Sequence, residues 1–211
     1  MAMLPFRDRE DAAHRLAKAL ASFAPARPLV LAIPRGAVPM GRIIANALGG
    51  DLDVILVRKL GAPYNPELAV GAVDETGHVT PAHHGVLMEG VGRDYLDREI
   101  QRQHAVIRER RQTYCGGRPA TPMAGRTVIV VDDGLATGAT MAAALRAVRQ
   151  AGPARLVCAV PVAARESLAV IASLADEVVC LAQPRPFYAV GAFYEAFPSV
   201  TDEEVVAALR G

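Results

Sequence analysis

The sequence predicts an α/β protein with a doubly wound, mostly parallel sheet flanked by helices. Short runs rich in Val, Ile and Leu recur along the chain, as expected for strands that are buried on both faces of a sheet. Amphipathic helical segments separate most of these runs, and this alternation produces a parallel sheet through right-handed crossovers. The length of 211 residues suits one domain with a substantial core.

The first elements follow from their boundary signals. Residues 8–23 predict an amphipathic helix with Asp8 as its N-cap and acidic residues in its first turn. Residues 29–33 predict a buried strand that ends in Pro34-Arg35-Gly36-Ala37. A second helix then runs to Leu48, with Pro39 in its first turn, where the missing N–H costs nothing. This strand–turn–helix unit therefore carries a cation in its turn.

The next predicted strand, residues 51–57, delivers Arg58 and Lys59 at its end. Two adjacent cations at a strand terminus are placed to reach a polyanion, although solvated charges at a strand exit are the commoner case. Residues 64–75 contain Gly, Pro and Asn residues, which are typical of turns and hinges.

A long helix is predicted over residues 92–114, with a thin apolar stripe and charged faces. Between Arg93 and Arg118 there are seven Arg residues against four acids. A basic helix would suit nucleic acid, but a solvated face with a packing seam is the more frequent arrangement. The net charge of +1 gives no general attraction to polyanions, so a nucleic-acid partner is disfavoured.

Residues 128–140 combine three features in one short stretch. Four β-branched residues, 128–131, predict a buried strand, and Asp132 and Asp133 follow where that strand ends. The small residues 134–140 then lead into a helix over residues 141–150. A small-residue loop that enters a helix offers free backbone N–H groups to a phosphate, whereas an acidic pair suits sugar hydroxyls or Mg²⁺. Together they predict a site for a phosphorylated sugar at the carboxyl edge of the sheet.

The remainder of the chain continues the alternation and ends in an aromatic tail. Strands are predicted at residues 155–160 and 177–181, with a helix at 163–174 between them. Residues 183–197 hold five of the ten Phe and Tyr residues of the chain. Such a concentration indicates either core packing over the sheet or a wall on which a base stacks. A short helix over residues 202–209 closes the chain, with Thr201 as a candidate cap.

Composition excludes several classes of protein. Apolar residues make up 52% of the chain, as a folded core requires. The three widely spaced cysteines contain no CxxC pair, which argues against a disulfide framework or a zinc site and favours a reducing cytoplasm. The N-terminus lacks the apolar segment of a signal peptide, and no apolar run approaches 18 residues, so no membrane span is predicted.

The run from Val128 to Thr140 resembles the phosphoribosyl-diphosphate (PRPP) signature of type I phosphoribosyltransferases. The acidic pair and the Ala-Thr-Gly-Ala-Thr loop carry the resemblance, whereas Gly134 occupies a position that is usually aliphatic in the family. The layout is also similar to that of stand-alone phosphoribosyltransferases of bacteria and archaea whose substrate is generally unassigned. A receiver-type domain, which also ends a strand in two acids, carries that pair near the chain start and not at residue 132.

The resemblance implies roles for particular residues. Asp132, Asp133 and Lys59 would be catalytic, and Mg²⁺ would arrive with PRPP, with water-mediated contact to the two acids and no direct protein ligand. The 5′-phosphate would be bound by Ala136, Thr137, Gly138, Ala139 and Thr140. The pyrophosphate would be held by Arg35, Gly36, Ala37, Arg58 and Lys59, with the turn at Arg35 often containing a non-proline cis peptide in the family.

The acceptor and the domain organisation follow from the same resemblance. The whole chain, 1–211, would form one domain, with a flexible lid and inserted helix at 61–122 and a hood and C-terminal segment at 183–211. Phe187 is the first candidate and Tyr188 the second to stack on an acceptor base. The segment 190–195 lacks the Asp that is usual in hypoxanthine and guanine enzymes, which puts purine specificity in doubt. A homo-oligomer is left open.

Three activities remain open at the level of the sequence. The first is transfer of a phosphoribosyl group from PRPP to a nitrogenous base or small amine, with release of pyrophosphate. The second is a regulator that keeps the PRPP pocket as a sensor, and the third is a hydrolase that acts on a phosphoribosyl compound. The retained cations and the predicted lid favour chemistry over sensing, but water needs no base pocket, so transferase and hydrolase are not separated.

Overall fold

The computed structural model describes residues 4–81 and 91–211. The chain alternates helices and strands as the sequence predicts, with small shifts at the boundaries, except that residues 57–81 form three consecutive strands that the residue pattern does not predict. In chain order the elements are α1 (Arg9–Ala19), a 3₁₀ helix (Ala21–Ala26), β1 (Leu29–Ala32), α2 (Ala37–Leu48), β2 (Asp51–Val54), β3 (Val57–Ala62), β4 (Asn65–Asp74), β5 (Val79–Pro81), α3 (Arg93–Cys115), β6 (Thr127–Val131), α4 (Ala139–Gln150), β7 (Arg155–Val162), α5 (Arg165–Ile171), β8 (Glu177–Ala182), a second 3₁₀ helix (Val190–Phe193) and α6 (Asp202–Arg210).

The main sheet has five parallel strands in the order β2-β1-β6-β7-β8. Ala32 at the end of β1 pairs with Val54 of β2 and Val131 of β6, so these strands end at one edge. Because ligands of open α/β sheets bind outside the carboxyl ends of the strands, this edge is where a site is expected. The predicted fold class, a doubly wound and mostly parallel sheet, is confirmed.

Both faces of the sheet are buried, and alternate residues of each strand serve different layers. Val30 and Ile129 belong to a cluster with α1, α2 and α6, whereas Leu31 and Val130 belong to a cluster with α4 and α5. Each of these four side chains is 0% exposed. Complete burial of such a side chain contributes about 1.5–3 kcal/mol, which is why the strands read as continuous apolar runs.

The predicted strand at residues 51–57 is wrong in its extent. β2 ends at Val54, and β3 starts a separate antiparallel sheet of order β3-β4-β5 at Val57. The amide of Ile55 still donates to Ala32, but the next amide, that of Leu56, donates to the carboxylate of Glu75. The apolar run could not reveal this change, because Ile55 and Leu56 are buried in either arrangement. Arg58 and Lys59 therefore lie within the first strand of the small sheet and not at the end of a core strand.

Helix α3 packs on its own chain. Of its predicted stripe, Ile107 and Tyr114 are buried and Leu96 and Ile100 pack at the edge of the same cluster. Tyr114 donates a hydrogen bond to Asp202 of α6 at 2.9 Å. The packing seam on this basic helix is confirmed. In the described part of the chain no helix is long and apolar enough to cross a membrane.

The aromatic tail is joined to the N-terminus. The amide of Phe6 donates to Phe193 at 2.8 Å, and the amide of Glu195 donates to Phe6 at 2.8 Å. The ring of Phe6 lies 5.4 Å from that of Tyr194, and the ring of Phe187 lies 4.9 Å from that of Phe193. Much of the aromatic material therefore packs inward over the end of the sheet. At the chain end, Thr201 caps α6 through a capping box, as predicted.

Candidate active site

The two acids at the end of β6 lie side by side in different environments. Asp132 accepts a hydrogen bond at 2.9 Å from the amide of Asp133 through Oδ1. Burial, and then the charge of Asp133, raise the pKa of Asp132 well above its ordinary value, since both disfavour the ionised form. Because the ionised form of Asp132 is disfavoured by burial, a cation or a developing positive charge nearby stabilises it strongly.

Asp133 is oriented by Arg9 of helix α1. Its Oδ2 accepts from Nε and Nη2 of Arg9, each at 2.9 Å. Burial raises the pKa of Asp133, and the charge of Arg9 opposes that rise. Arg9 also lies 3.7 Å above the ring of Phe197 and donates to the carbonyl of Pro198 at 2.6 Å. One guanidinium thus joins the acidic pair to the tail.

Gly36 is required by Asp133. A Cβ at position 36 would lie 2.1 Å from Oδ2 of Asp133, so the turn after β1 accepts no side chain here. The peptide bond between Pro34 and Arg35 is cis, which agrees with the resemblance. Arg35 pairs loosely with Asp202 at 3.7 Å, and Ala37 is the buried first residue of α2. The close approach expected of Gly36 is therefore made to the carboxylate of the chain itself.

The loop from Gly134 to Gly138 is held against neighbouring elements. The amide of Leu135 donates to Val162 at 2.9 Å, and Ser167 donates to the carbonyl of Ala136 at 2.5 Å. Gly138 has a φ of 73°, a conformation that L-residues adopt rarely, and α4 begins directly after it. Ala136, Thr137, Ala139 and Thr140 remain exposed. This is the form of a phosphate site at a helix N-terminus.

A cleft of about 720 Å³ brings several predicted residues together. It is lined by the turn residue Pro34, by Arg58 and Lys59 of β3, and by residues of the phosphate-type loop, Thr137, Ala139 and Thr140. Helix α3 forms a further wall with Tyr95, Glu99, Arg102, Gln103, Ile107 and Arg110. Arg35 lines a neighbouring cavity of about 390 Å³, which also contains Arg110.

The acceptor candidates lie away from this cleft. Phe187 is half-buried and packs on Phe193 in a cluster with Phe6 and Tyr194. Tyr188 is 85% exposed, so its ring is available to a ligand without loss of packing. Both residues belong to the segment that leads into the 3₁₀ helix at Val190, whose side chain contacts the loop at Gly134.

Sequence reasoning did not identify the contributions of Arg9, Arg102 and Arg110. Arg9 lies 124 positions from Asp133, and its helix reads as an ordinary amphipathic surface helix. Arg102 and Arg110 lie on a helix whose many charges suggest a solvated face. Only the position of that helix beside β3 separates the arginines that face the cleft from those that face solvent.

The chemistry of the acidic pair suits a hydrated metal that arrives with its ligand. Within residues 4–81 and 91–211, no group of three or more His, Cys, Asp or Glu side chains is placed to hold a metal ion. Mg²⁺ is often held by one or two carboxylates together with substrate phosphates. Asp132 provides such a carboxylate beside a phosphate-type loop, so the residues present fit this mode of binding.

Comparison with known proteins identifies the family. A family model described as "Phosphoribosyl transferase domain" matches residues 8–192. The chain is 41% identical over 207 residues to two Mycobacterium tuberculosis proteins, one from strain CDC 1551 / Oshkosh and one from strain H37Rv, each named "Putative phosphoribosyl transferase". These matches cover 97% of this chain but 46% of each relative, so the chain spans slightly less than half of their length. The chain belongs to the phosphoribosyl transferase domain family.

A solved structure has a similar fold over nearly the whole chain. The crystal structure of TT1426 from Thermus thermophilus is similar with a TM-score of 0.88 and 48% sequence identity, covering 98% of both chains. The resemblance first seen in residues 128–140 is thereby confirmed at the level of the family.

Proposed function

We propose that the chain transfers the phosphoribosyl group of PRPP to a nitrogenous base or a small amine and releases pyrophosphate. The carrying observation is that a phosphate-type loop and the cations of β3 line one cleft, beside two acids at the end of β6. A loop for one phosphate, cations for a diphosphate and carboxylates for a sugar match the three parts of PRPP. Family membership supports the reaction class.

In this proposal the protein acts by positioning and by charge stabilisation. The nitrogen nucleophile attacks C1 of the ribose as the bond to the pyrophosphate oxygen breaks, with inversion at C1. Positive charge develops on the ribosyl ring, and the carboxylates of Asp132 and Asp133 stabilise it while they accept hydrogen bonds from ribose hydroxyls.

The two phosphate ends would be held by different elements. Thr137 and Thr140, with the backbone N–H groups of Gly138 and Ala139, would bind the 5′-phosphate. Arg58 and Lys59 of β3, with Arg35 and the backbone of Gly36 and Ala37, would bind the leaving pyrophosphate. Asp132 and Asp133 would contact, through water, the Mg²⁺ that arrives with PRPP, and this ion would supply positive charge for the leaving group.

The acceptor would bind beside the hood, residues 183–211, where an aromatic ring could stack on it. Stacking on an aromatic ring accepts any flat base, so such a residue sets affinity more than identity. Phe187 and Tyr188 both remain candidates, and the greater exposure of Tyr188 favours it. Tyr188→Ala should raise the acceptor KM without changing the melting temperature, whereas Phe187→Ala should lower the melting temperature because its ring packs on Phe193.

The decisive experiment incubates the protein with PRPP, Mg²⁺ and a panel of bases and amines, and measures pyrophosphate release. Asp132→Asn serves as the control and should lose about 10²-fold or more in turnover. Release that depends on one acceptor supports the transferase. Release without any acceptor would indicate a hydrolase, and PRPP binding without release would indicate a sensor.

A further inference from the structure

Two half-buried guanidinium groups, those of Arg58 and Arg110, face the cleft without an acidic partner. In the described ranges, no carboxylate forms an ion pair with either residue. Arg58 donates its Nε–H to Oε1 of Gln103 at 2.9 Å, which leaves its terminal N–H groups for another acceptor. Glu99, the acid that lines the same cleft, is already bound by Arg102 at 2.8 and 2.9 Å.

Arg110 differs from its neighbouring arginines on α3, because it is half-buried at the cleft and forms no ion pair among the described residues. Arg102 pairs with Glu99, and Arg111 pairs with Asp53 at 2.7 Å and with Glu75 at 2.5 Å. Arg108 is exposed and lies outside both cavities. Arg110 is half-buried, lines both cavities and has no such partner among the residues that the structure describes.

Arg58 and Arg110 repel one another. Burial lowers the pKa of Arg58, the charges of Arg110 and Arg102 lower it further, and the charge of Glu99 opposes this without reversing it. A guanidinium nevertheless stays protonated in a protein, so this repulsion persists in the folded state. Like charges held together at a cleft destabilise the empty protein and favour the binding of an anion between them.

The position of Arg110 between two cavities indicates which part of the substrate it would contact. It lines the cleft that contains Arg58, Lys59 and the phosphate-type loop, and it also lines the neighbouring cavity that contains Arg35. It therefore lies between the two groups of cations that the proposed function assigns to the leaving pyrophosphate. Residues of the loop assigned to the 5′-phosphate line only the first of these two cavities.

We propose that Arg110 of helix α3 binds the diphosphate of the substrate together with Arg58. This inference rests on the proposed function and extends it by making the inserted helix a wall of the substrate site. Guanidinium groups bind phosphate oxygens in pairs of parallel hydrogen bonds, which suits two arginines on a diphosphate. The ion pairs of Arg111, the next residue, with Asp53 and Glu75 attach this part of the helix to the rest of the chain.

The test compares Arg110→Gln with the matched control Arg108→Gln, which removes the same charge from the exposed face of the same helix. Isothermal titration measures binding of inorganic pyrophosphate and, separately, of ribose 5-phosphate. Arg110→Gln should weaken pyrophosphate binding by about 10-fold or more, because charge-assisted hydrogen bonds are lost. Ribose 5-phosphate affinity should change by less than about 2-fold, and Arg108→Gln should change neither ligand by more than that.

Melting without ligand gives a second readout. Because Arg110→Gln removes a repulsion and breaks no ion pair, its melting temperature should equal or exceed that of the wild type, while its upward shift on adding pyrophosphate should be smaller. Arg110→Lys should bind pyrophosphate with intermediate affinity, since a point charge replaces the bidentate fork.

Several outcomes overturn the inference. They are unchanged pyrophosphate affinity in Arg110→Gln, equal losses for pyrophosphate and ribose 5-phosphate, equal losses in Arg108→Gln, or no binding of pyrophosphate by the wild type. The proposed function fails separately: if no acceptor supports turnover but the wild type binds pyrophosphate through Arg110, the transferase falls and this site stands. Turnover with unchanged pyrophosphate affinity in Arg110→Gln removes this site alone.

Discussion

Asp132 and Asp133 are adjacent and chemically identical, yet the fold gives them different counter-charges. Asp133 has the guanidinium of Arg9 at 2.9 Å, whereas Asp132 accepts from the amide of Asp133. Two like charges in a buried strand end raise the free energy of the folded protein when both are ionised. This unfavourable free energy arises at Asp132 and Asp133, the two residues that stabilise positive charge in the proposed reaction.

The first prediction concerns the stability of the Asn variants. Because the pKa of Asp132 is raised in the folded state, the folded protein holds its proton to higher pH than the unfolded chain does. The free energy of unfolding therefore falls as pH rises from about 3.9 through the raised pKa. Asp132→Asn removes this contribution, so at neutral pH it should melt above the wild type, although it loses activity.

Asp133→Asn is the matched comparison. Relief from burying its charge is opposed there by loss of the Arg9 ion pair, so its melting temperature should change less than that of Asp132→Asn. Below about pH 3.9 both variants should converge on the wild type, since all three then carry neutral groups. Scanning calorimetry across pH measures this, and a lower melting temperature for Asp132→Asn at neutral pH would contradict it.

Arg9 provides the second prediction. Its side chain is 13% exposed and that of Asp133 is 17% exposed, so Arg9→Gln leaves a largely buried carboxylate without its cation. Removing one partner of a buried pair costs about 3 kcal/mol. The deficit should shrink on acidification as Asp133 takes up a proton, and the acid limb of the activity profile should move to higher pH.

Arg7→Gln controls for the loss of a cation from the same segment. Arg7 pairs with Asp8 at the surface, and an exposed ion pair of this kind contributes little to stability. An acid limb that stays in place in Arg9→Gln, measured with the acceptor found in the panel, would show that Arg9 does not set the ionisation of Asp133.

At the scale of single residues, the sequence predicted what one continuous motif contains. One strand–loop–helix unit contains Asp132, Asp133 and residues 137–140. Because they are close together in the sequence, their types and spacing indicate their chemistry. Arg9 and Arg110 lie on helices that only the fold brings near this motif, and in the sequence each resembles an ordinary surface charge. Arg9 and Asp133 are 124 positions apart in the sequence, so no local pattern predicts their contact.

At the scale of elements, the second 3₁₀ helix packs closely against the loop that begins at Gly134. A Cβ at Gly134 would lie 2.6 Å from Val190 of the second 3₁₀ helix and 3.0 Å from Val162 of β7. The family usually has an aliphatic side chain at this position of its signature. In this chain Val190 of the second 3₁₀ helix occupies that space, which gives a physical reason for the departure at Gly134.

The third prediction follows from that fit. Gly134→Val should overpack the contact and lower the free energy of unfolding by about 1–3 kcal/mol. Val190→Ala opens the same space, so the double variant should recover part of the loss, and the two changes should be non-additive. Chemical denaturation of the four proteins in this cycle measures the coupling. Strict additivity would show that Val190 does not occupy the space beside Gly134.

Two apolar residues, Ile55 and Leu56, mark the limit of pattern reading at this scale. They continue the run of β2, and both are buried, yet the chain leaves the parallel sheet between them. Hydrophobicity records burial but not the direction of the chain. At this point the amide of Leu56 donates to the carboxylate of Glu75, which lies 19 positions further along and so is not visible in the local pattern.

At the scale of the whole molecule, a buried cation of α3 contacts residues of both sheets. Arg111 is 8% exposed and contacts Asp53, Glu75 and the carbonyl of Val54. Asp53 also accepts from the amide and hydroxyl of Thr121, at 2.8 and 2.9 Å. The main sheet, the small sheet and the inserted helix therefore meet at this guanidinium.

The last prediction tests whether this junction sets the form of the cleft. Arg111→Met keeps the length of the side chain but leaves the carboxylates of Asp53 and Glu75 buried without a cation, which should cost about 3–5 kcal/mol of stability. Amide exchange in residues 93–115 should accelerate, because the helix loses its main polar attachment to both sheets. The KM for PRPP should rise if Arg110 binds the diphosphate from this helix, whereas Arg108→Met, on the exposed face, should alter none of the three.

The pH dependence of this junction has the opposite sign to that of the acidic pair. Asp53 is buried, but the charge of Arg111 and the hydrogen bonds to Asp53 outweigh burial and lower its pKa. The stability that it contributes is therefore present above about pH 3.9 and is lost as pH falls through the depressed pKa. Arg111→Met should lose less stability than the wild type over that acidic range. An unchanged acid transition, with unchanged exchange in residues 93–115, would show that α3 is held to the sheets by its apolar stripe alone.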